Sequence, residues 1–200
     1  MPFLSRIKHF DASLISKELD CELLMQHIRV LVNVVNRNSA ACMEISNDRE
    51  LCLSFARHFV TFAQLRSDVA SNMCSFLLSL MINLSESNET IRKILFSDDT
   101  FISTLLDKFC ETNFVGSKDE SPESAFAETS RNAFCAYCAI LFGFLSSGEP
   151  KAEQLMKERS LTKKDFIDII KEFLAFEADA GLLSRSSCSS VQNVLELLSR

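Results

Sequence analysis

Apolar residues recur three and four positions apart along almost the whole chain, and strict alternation is rare. That is the periodicity of amphipathic helices, not of strands. Asp20 suits the N-cap of a helix running to about Val35, with Leu23, Leu24, His27, Ile28, Leu31, Val34 and Val35 as its stripe. Asn36 to Ser39 reads as a turn, followed by a short helix from about Ala40 to Ile45. Asp48 caps the next helix, to about Leu65, with Leu51, Phe55, His58, Phe59 and Phe62 on one face. Ser67 caps another, to about Leu84, which is apolar nearly all round and therefore central. Shorter helices follow over Glu89–Phe96 and Thr100–Phe114, then a solvated loop over 115–123. A long helix covers Ser124–Ser146, and Gly148-Glu149-Pro150 opens a short one with proline in its first turn. Thr162 and Asp165 start a helix striped by Phe166, Ile169, Ile170, Phe173 and Leu174. Gly181 marks its stop, and Ser189–Leu198 closes the chain.

One internal echo stands out. Leu31-Val32-Asn33-Val34 ends a helix and enters a polar turn, and Met81-Ile82-Asn83-Leu84 does the same 50 positions later. Helix-repeat arrays use units of roughly 40–47 residues, each unable to bury its own apolar face without a stacked neighbour. The expectation is an all-α fold of armadillo/HEAT-like stacked helical repeats, an α-solenoid, with residues 1–200 as a single domain.

Composition agrees with helices. Four Gly and three Pro are too few for the many turns of a sheet protein this long. The net charge of −6 argues against a nucleic-acid surface and leaves any contact with DNA to a partner. Eight Cys lie at 21, 42, 52, 74, 110, 135, 138 and 188, mostly inside apolar segments, and read as buried thiols in a reducing compartment. The first ten residues do not read as a signal peptide. The longest apolar run, Ala133–Leu145, is shorter than the ~20 residues of a membrane span.

Four stretches resemble, in order, the C-terminal domain of the wings apart-like (WAPL) cohesin-release protein family. Ile28-Arg29-Val30-Leu31-Val32-Asn33-Val34 is similar to the family's V-L-V-N-L helix end. Leu80-Met81-Ile82-Asn83-Leu84-Ser85-Glu86 is similar to its L-L-I-N-L-x-E. Ala136-Tyr137-Cys138-Ala139-Ile140-Leu141-Phe142-Gly143-Phe144-Leu145 resembles S-Y-x-A-x-L-x-G-x-L. Lys171-Glu172-Phe173-Leu174-Ala175-Phe176, with Ser190-Val191-Gln192-Asn193-Val194-Leu195-Glu196-Leu197-Leu198, resembles K-x-F-L-x-F and the terminal S-I-x-x-V-I-E-Y-L. The first two are patterns common to many helical repeats; the last two are more specific. The likeness spans about residues 28–200.

The resemblance implies a HEAT-like domain, without catalysis or cofactor, that binds cohesin subunits and their helical-repeat regulators. It implies promotion of cohesin release, hence a nuclear, chromatin-associated role in sister chromatid cohesion. Family members carry an N-terminal region with Phe-Gly-Phe motifs and a longer acidic insertion before the third stretch, of which Lys118–Glu128 stands here. The chain therefore reads as a fragment or a reduced member. The alternative is a general armadillo-type adaptor for another protein.

The candidate partner-binding residues are Asn33, Asn83, Glu86, Glu128, Arg131 and Asn132. Asn33 and Asn83 fit two roles, hydrogen-bonding a partner backbone in a groove or capping their own helix ends, and capping is the commoner. The resemblance points to the start of the long helix, Glu128 to Asn132, as facing partners. Phe142-Gly143-Phe144 matches a gripping motif by letters but lies in a continuous apolar run, so it reads as core, its glycine allowing close helix packing. Cys135 and Cys138 form C-x-x-C with no second ligand pair, so they read as buried thiols and no metal site is expected. The basic cluster Lys151, Lys157, Arg159, Lys163 and Lys164 alternates with acids and reads as a solvated face. There is no phosphate loop or nucleophile elbow, and a thiol-dependent enzyme would need an activated cysteine beside a histidine.

Overall fold

The computed structural model describes residues 2–8, 18–113, 122–182 and 185–199, with side-chain packing described for 4–5, 7–8, 21–111, 129–182 and 189–199. The described residues form helices with no strand: α1 Pro2–Lys8, α2 Glu18–Val35, α3 Ser39–Ser46, α4 Arg49–Ala63, α5 Asp68–Ser87, α6 Glu89–Phe96, α7 Asp99–Asn113, α8 Pro122–Leu145, α9 Lys151–Lys157, α10 Lys163–Asp179 and α11 Arg185–Leu198. They divide into two compact units, Met1–Thr104 and Leu105–Arg200. The expected loop 115–123 lies outside the described residues up to 121, and its last two positions already belong to α8.

Local chemistry sets the helix starts. Asn38, Asp48, Ser67, Asn88 and Asp98 each accept a hydrogen bond from the backbone N–H three residues ahead, on Ala41, Leu51, Ala70, Ile91 and Phe101, at 3.0–3.2 Å. Each such cap satisfies one of the donors a helix leaves unpaired, a contribution of about 1 kcal/mol. Two pairs of these caps are 50 residues apart, and the helices obey the same interval. α3 and α6 begin and end fifty residues apart, as do α4 and α7, and α2 starts fifty before α5. The loose echo of two Asn positions is thus part of a register that fixes whole elements. This recurrence is consistent with an α-helical repeat fold.

In the first unit α5 packs against α2, α3, α4 and α6. It buries Met73, Leu77, Leu80, Met81 and Leu84 on several sides, as its all-round apolarity predicts. α4 brings Leu51, Phe55, Phe59 and Phe62 to this core, and Phe59 meets the edge of Phe101 at 5.6 Å. On α2 the buried stripe is Cys21, Leu24, Ile28, Leu31 and Val35. Leu23 and Val34, expected on that stripe, lie exposed with Val30 on a neighbouring face. Helix α1, which the sequence pattern does not reveal, docks Ile7 fully buried against its neighbours. Its last residue, Lys8, pairs with Asp48 at 2.8 Å.

The second unit has its core in a stack of three rings. Phe166 of α10 lies between Phe109 of α7, at 4.4 Å and 15°, and Phe142 of α8, at 5.0 Å and 22°, all three fully buried. Phe142 and Phe144 are therefore core, as the apolar run predicts. Gly143 between them lets α11 approach α8: a Cβ there would sit 2.6 Å from Val194 Cγ1 and 3.2 Å from Leu198 Cδ1.

Gly143→Ala gains up to ~1 kcal/mol of helix propensity but overpacks against a β-branched side chain that cannot rotate away, a cost of about 1–3 kcal/mol. We expect net loss of stability in urea unfolding, and a smaller effect of the same substitution in a Val194→Ala background. Equal effects in both backgrounds would remove the steric account.

His58 carries a second prediction. Its Nε2–H donates to the Ile7 carbonyl at 2.6 Å, tying α4 to α1. Burial lowers its pKa below the usual histidine range, the Ile7 hydrogen bond opposing and Arg57 adding to the shift. The folded state therefore binds fewer protons than the unfolded chain, whose histidine titrates near ~6.5. The stabilisation is present above that pH and is lost as pH falls below it. Melting temperatures between pH 7.5 and 5.5 should fall less in His58→Gln than in wild type; parallel slopes would assign the loss elsewhere.

Candidate functional site

The site grows from α8 and α10. α10 is held at both ends by its own sequence. Thr162 and Asp165 form a reciprocal capping box, with the Thr162 N–H donating to Asp165 Oδ2 at 2.7 Å. At the other end Gly181 adopts φ +68°, and the N–H groups of Gly181 and Leu182 return to Ala178 and Glu177 at 3.1 and 2.9 Å. That αL turn closes the last carbonyls, and glycine takes it without strain. Between these ends Phe166 and Ile170 are buried, Ile169 and Phe173 half-buried, and Glu172 and Phe176 exposed.

α8 and α10 flank a groove lined by Thr129, Asn132, Ala133, Ile169, Glu172, Phe173 and Phe176. Tyr137 of α8 fixes Phe173 by an edge-to-face contact at 5.8 Å. Burial pushes the Tyr137 hydroxyl pKa up, and Glu177 adds to it. Phe176 is 47% exposed. Among the described lining residues, Glu172 carries the charge.

The sequence-derived candidates fall in several places. Asn132 is exposed and lines the groove; Arg131 is half-buried and is not among its lining residues. Glu128 lies on α8, but its side chain is outside the described residues. Asn33, Asn83 and Glu86 belong to the first unit. The expected capping role of Asn33 and Asn83 is corrected, because both lie inside their helices and Asn88 is the C-cap of α5. Asn33 is exposed on α2. Asn83 Nδ2 donates instead across to the Val32 carbonyl at 3.3 Å, so it completes the end of the neighbouring helix. Glu86 is half-buried on α5 and faces Cys42, adding to the rise that burial imposes on that thiol.

The sequence reading missed Thr129, Ala133, Ile169, Glu172, Phe173 and Phe176 as site residues. The available signal was Phe176, one phenyl more than the buried stripe of α10 can use.

The thiols have structural partners. Cys42 donates to the Val35 carbonyl and Cys52 to that of Ile45, both at 3.5 Å, and Cys135 donates to Phe109 at 3.8 Å. Burial pushes Cys52 up to about 12, so it is protonated at neutral pH. Cys135 and Cys138 are both buried. In the basic cluster, Arg159 pairs with Asp107 at 2.7 Å. Among the described residues no group of three His, Cys, Asp or Glu side chains could hold a metal ion, and no helix is long and apolar enough to cross a membrane. Comparison with protein-family models, curated proteins and solved structures finds no match.

Asn83→Ala removes one hydrogen bond between α5 and α2, while Val32 keeps its bond from the Asn36 N–H at 3.2 Å. We expect a loss of about 0.5–1.5 kcal/mol in chemical denaturation. A larger loss would mean that the amide supports more than this one carbonyl.

Proposed function

We propose that this chain is a protein-interaction module, an armadillo/HEAT-like α-solenoid without chemistry of its own, that binds cohesin and its helical-repeat regulators and promotes cohesin release from chromatin in the nucleus. The observation that carries the interaction role is the groove between α8 and α10, apolar in its floor and crowned by the exposed Phe176. A large exposed aromatic over a concave apolar surface is the usual anchor of a protein contact. The fifty-residue recurrence of α2–α4 in α5–α7 supports the solenoid assignment.

The cohesin partner rests on the resemblance to wings apart-like proteins. Its two more specific stretches meet in this fold, through Tyr137 of one on Phe173 of the other, and the fourth supplies Glu172, Phe173 and Phe176 to the groove. The second reading is an armadillo-type adaptor for a different protein, which needs the groove and the recurrence but neither stretch.

Immobilised chain should retain reconstituted cohesin with its helical-repeat regulators, and Phe176→Ala should weaken retention roughly tenfold or more, as loss of a central aromatic anchor does. Absence of retention by the unaltered chain would sink the cohesin assignment and leave the adaptor. Retention unchanged by Phe176→Ala would move the contact away from the groove.

A further inference from the structure

We propose that the groove between α8 and α10 receives an arginine side chain from a protein partner; this deepens the interaction reading above and rests on it. On α10 the exposed Glu172 and Phe176 are four residues apart, and Phe173 and Phe176 three apart, so carboxylate and rings adjoin on one face. Thr129 and Asn132 add a hydroxyl and an amide from α8, and Ile169 adds apolar surface.

That set matches a guanidinium on every count. Phenyl faces attract cations, and arginine stacks on them while its N–H fork still donates to a carboxylate. Asn132 and Thr129 offer further oxygen acceptors, and the arginine stem covers Ile169. A leucine or phenylalanine in the same place would fill the floor but strip water from Glu172 without giving it a partner, which is unfavourable. A carboxylate would be repelled.

Charge beside the groove is mixed: Asp168, Glu172 and Asp179 are exposed on α10, with Lys164 and Lys171 exposed on the same side. The selectivity for arginine therefore rests on Glu172 within the groove.

The test uses the whole chain and short labelled Gly-Ser peptides with lysine flanks that differ only at the central residue, Arg, Phe or Glu. Fluorescence anisotropy should show the Arg peptide binding best, the Glu peptide at least about tenfold weaker, and affinity falling with added salt. Glu172→Gln should weaken Arg-peptide binding roughly tenfold and Phe176→Ala several-fold, both positions being exposed and tolerant of substitution. A Phe peptide that binds as tightly as the Arg peptide, no binding by any peptide, or an affinity indifferent to Glu172→Gln would each overturn the proposal. The cohesin reading fails separately: Arg-peptide binding without cohesin retention overturns the cohesin assignment alone. Cohesin retention lost in Phe176→Ala but unchanged in Glu172→Gln overturns the arginine alone.

Discussion

The stack of Phe109, Phe166 and Phe142 is the interaction on which the second unit depends. Phe166 is the sole contribution of α10 to that stack, and it is sandwiched by rings from two other helices. Each such pair adds about 0.5–1.5 kcal/mol beyond the burial of its area. The stack holds one end of α10 against α8, the capping box fixes its start and the Gly181 turn fixes its finish. Further along α10, Phe173 meets Tyr137 of α8, and the groove lies beside that contact. Its side chains sit on helices, which makes the site rigid.

The first unit is organised by a different constraint, the pairing of backbone groups at helix ends. Side chains of Asn, Asp and Ser close the N-termini. Thiols of Cys42 and Cys52 reach back seven residues to carbonyls at the ends of the preceding helices. Asn83 does the same from a neighbouring helix. Cysteine here is a small apolar residue with one weak donor, suited to a cramped helix junction where serine would be costly to desolvate. Ser85 illustrates that cost: it is fully buried with no hydrogen-bond partner for its hydroxyl, at the place where the earlier copy has the apolar Val35.

Asp48 and Ser67 announce α4 and α5 at their first residues, because a cap is local chemistry. Asp20 misleads: it lies inside α2, which begins at Glu18, and Asn88, the cap of α6, was not read from the sequence. Helix α1 was not legible: seven residues give less than two full periods, and its stability comes from Ile7 docking on α4 and α2. The stripe of α2 was read one face too wide, since periodicity cannot say which of two adjacent apolar faces meets a neighbour. The site was legible only at Asn132. A groove is a relation between helices far apart in sequence, and nothing in the spacing of Thr129 or Glu172 records that they will line one groove. Asn33 and Asn83 drew notice as matching polar positions, yet one is exposed and the other bonded to its neighbour, because equal places in a repeat need not have equal surroundings.

The interval of fifty has a consequence for how such a chain can change over time. Asn38 and Asn88 cap successive short helices, and Asp48 and Asp98 cap the helices that follow. Loss of one whole period would join Asn38 to Glu89, bringing together positions that already occupy the same place in the pattern. Asn38 would then cap α6, Asp98 would still cap α7, and the buried stripes of both would keep their phase. A loss inside a helix would instead rotate the rest of that helix by about 100° per residue and turn its apolar face to water. The chain is thus quantised in length: unequal exchange between copies can shorten or extend it by full periods, while small insertions are confined to the turns.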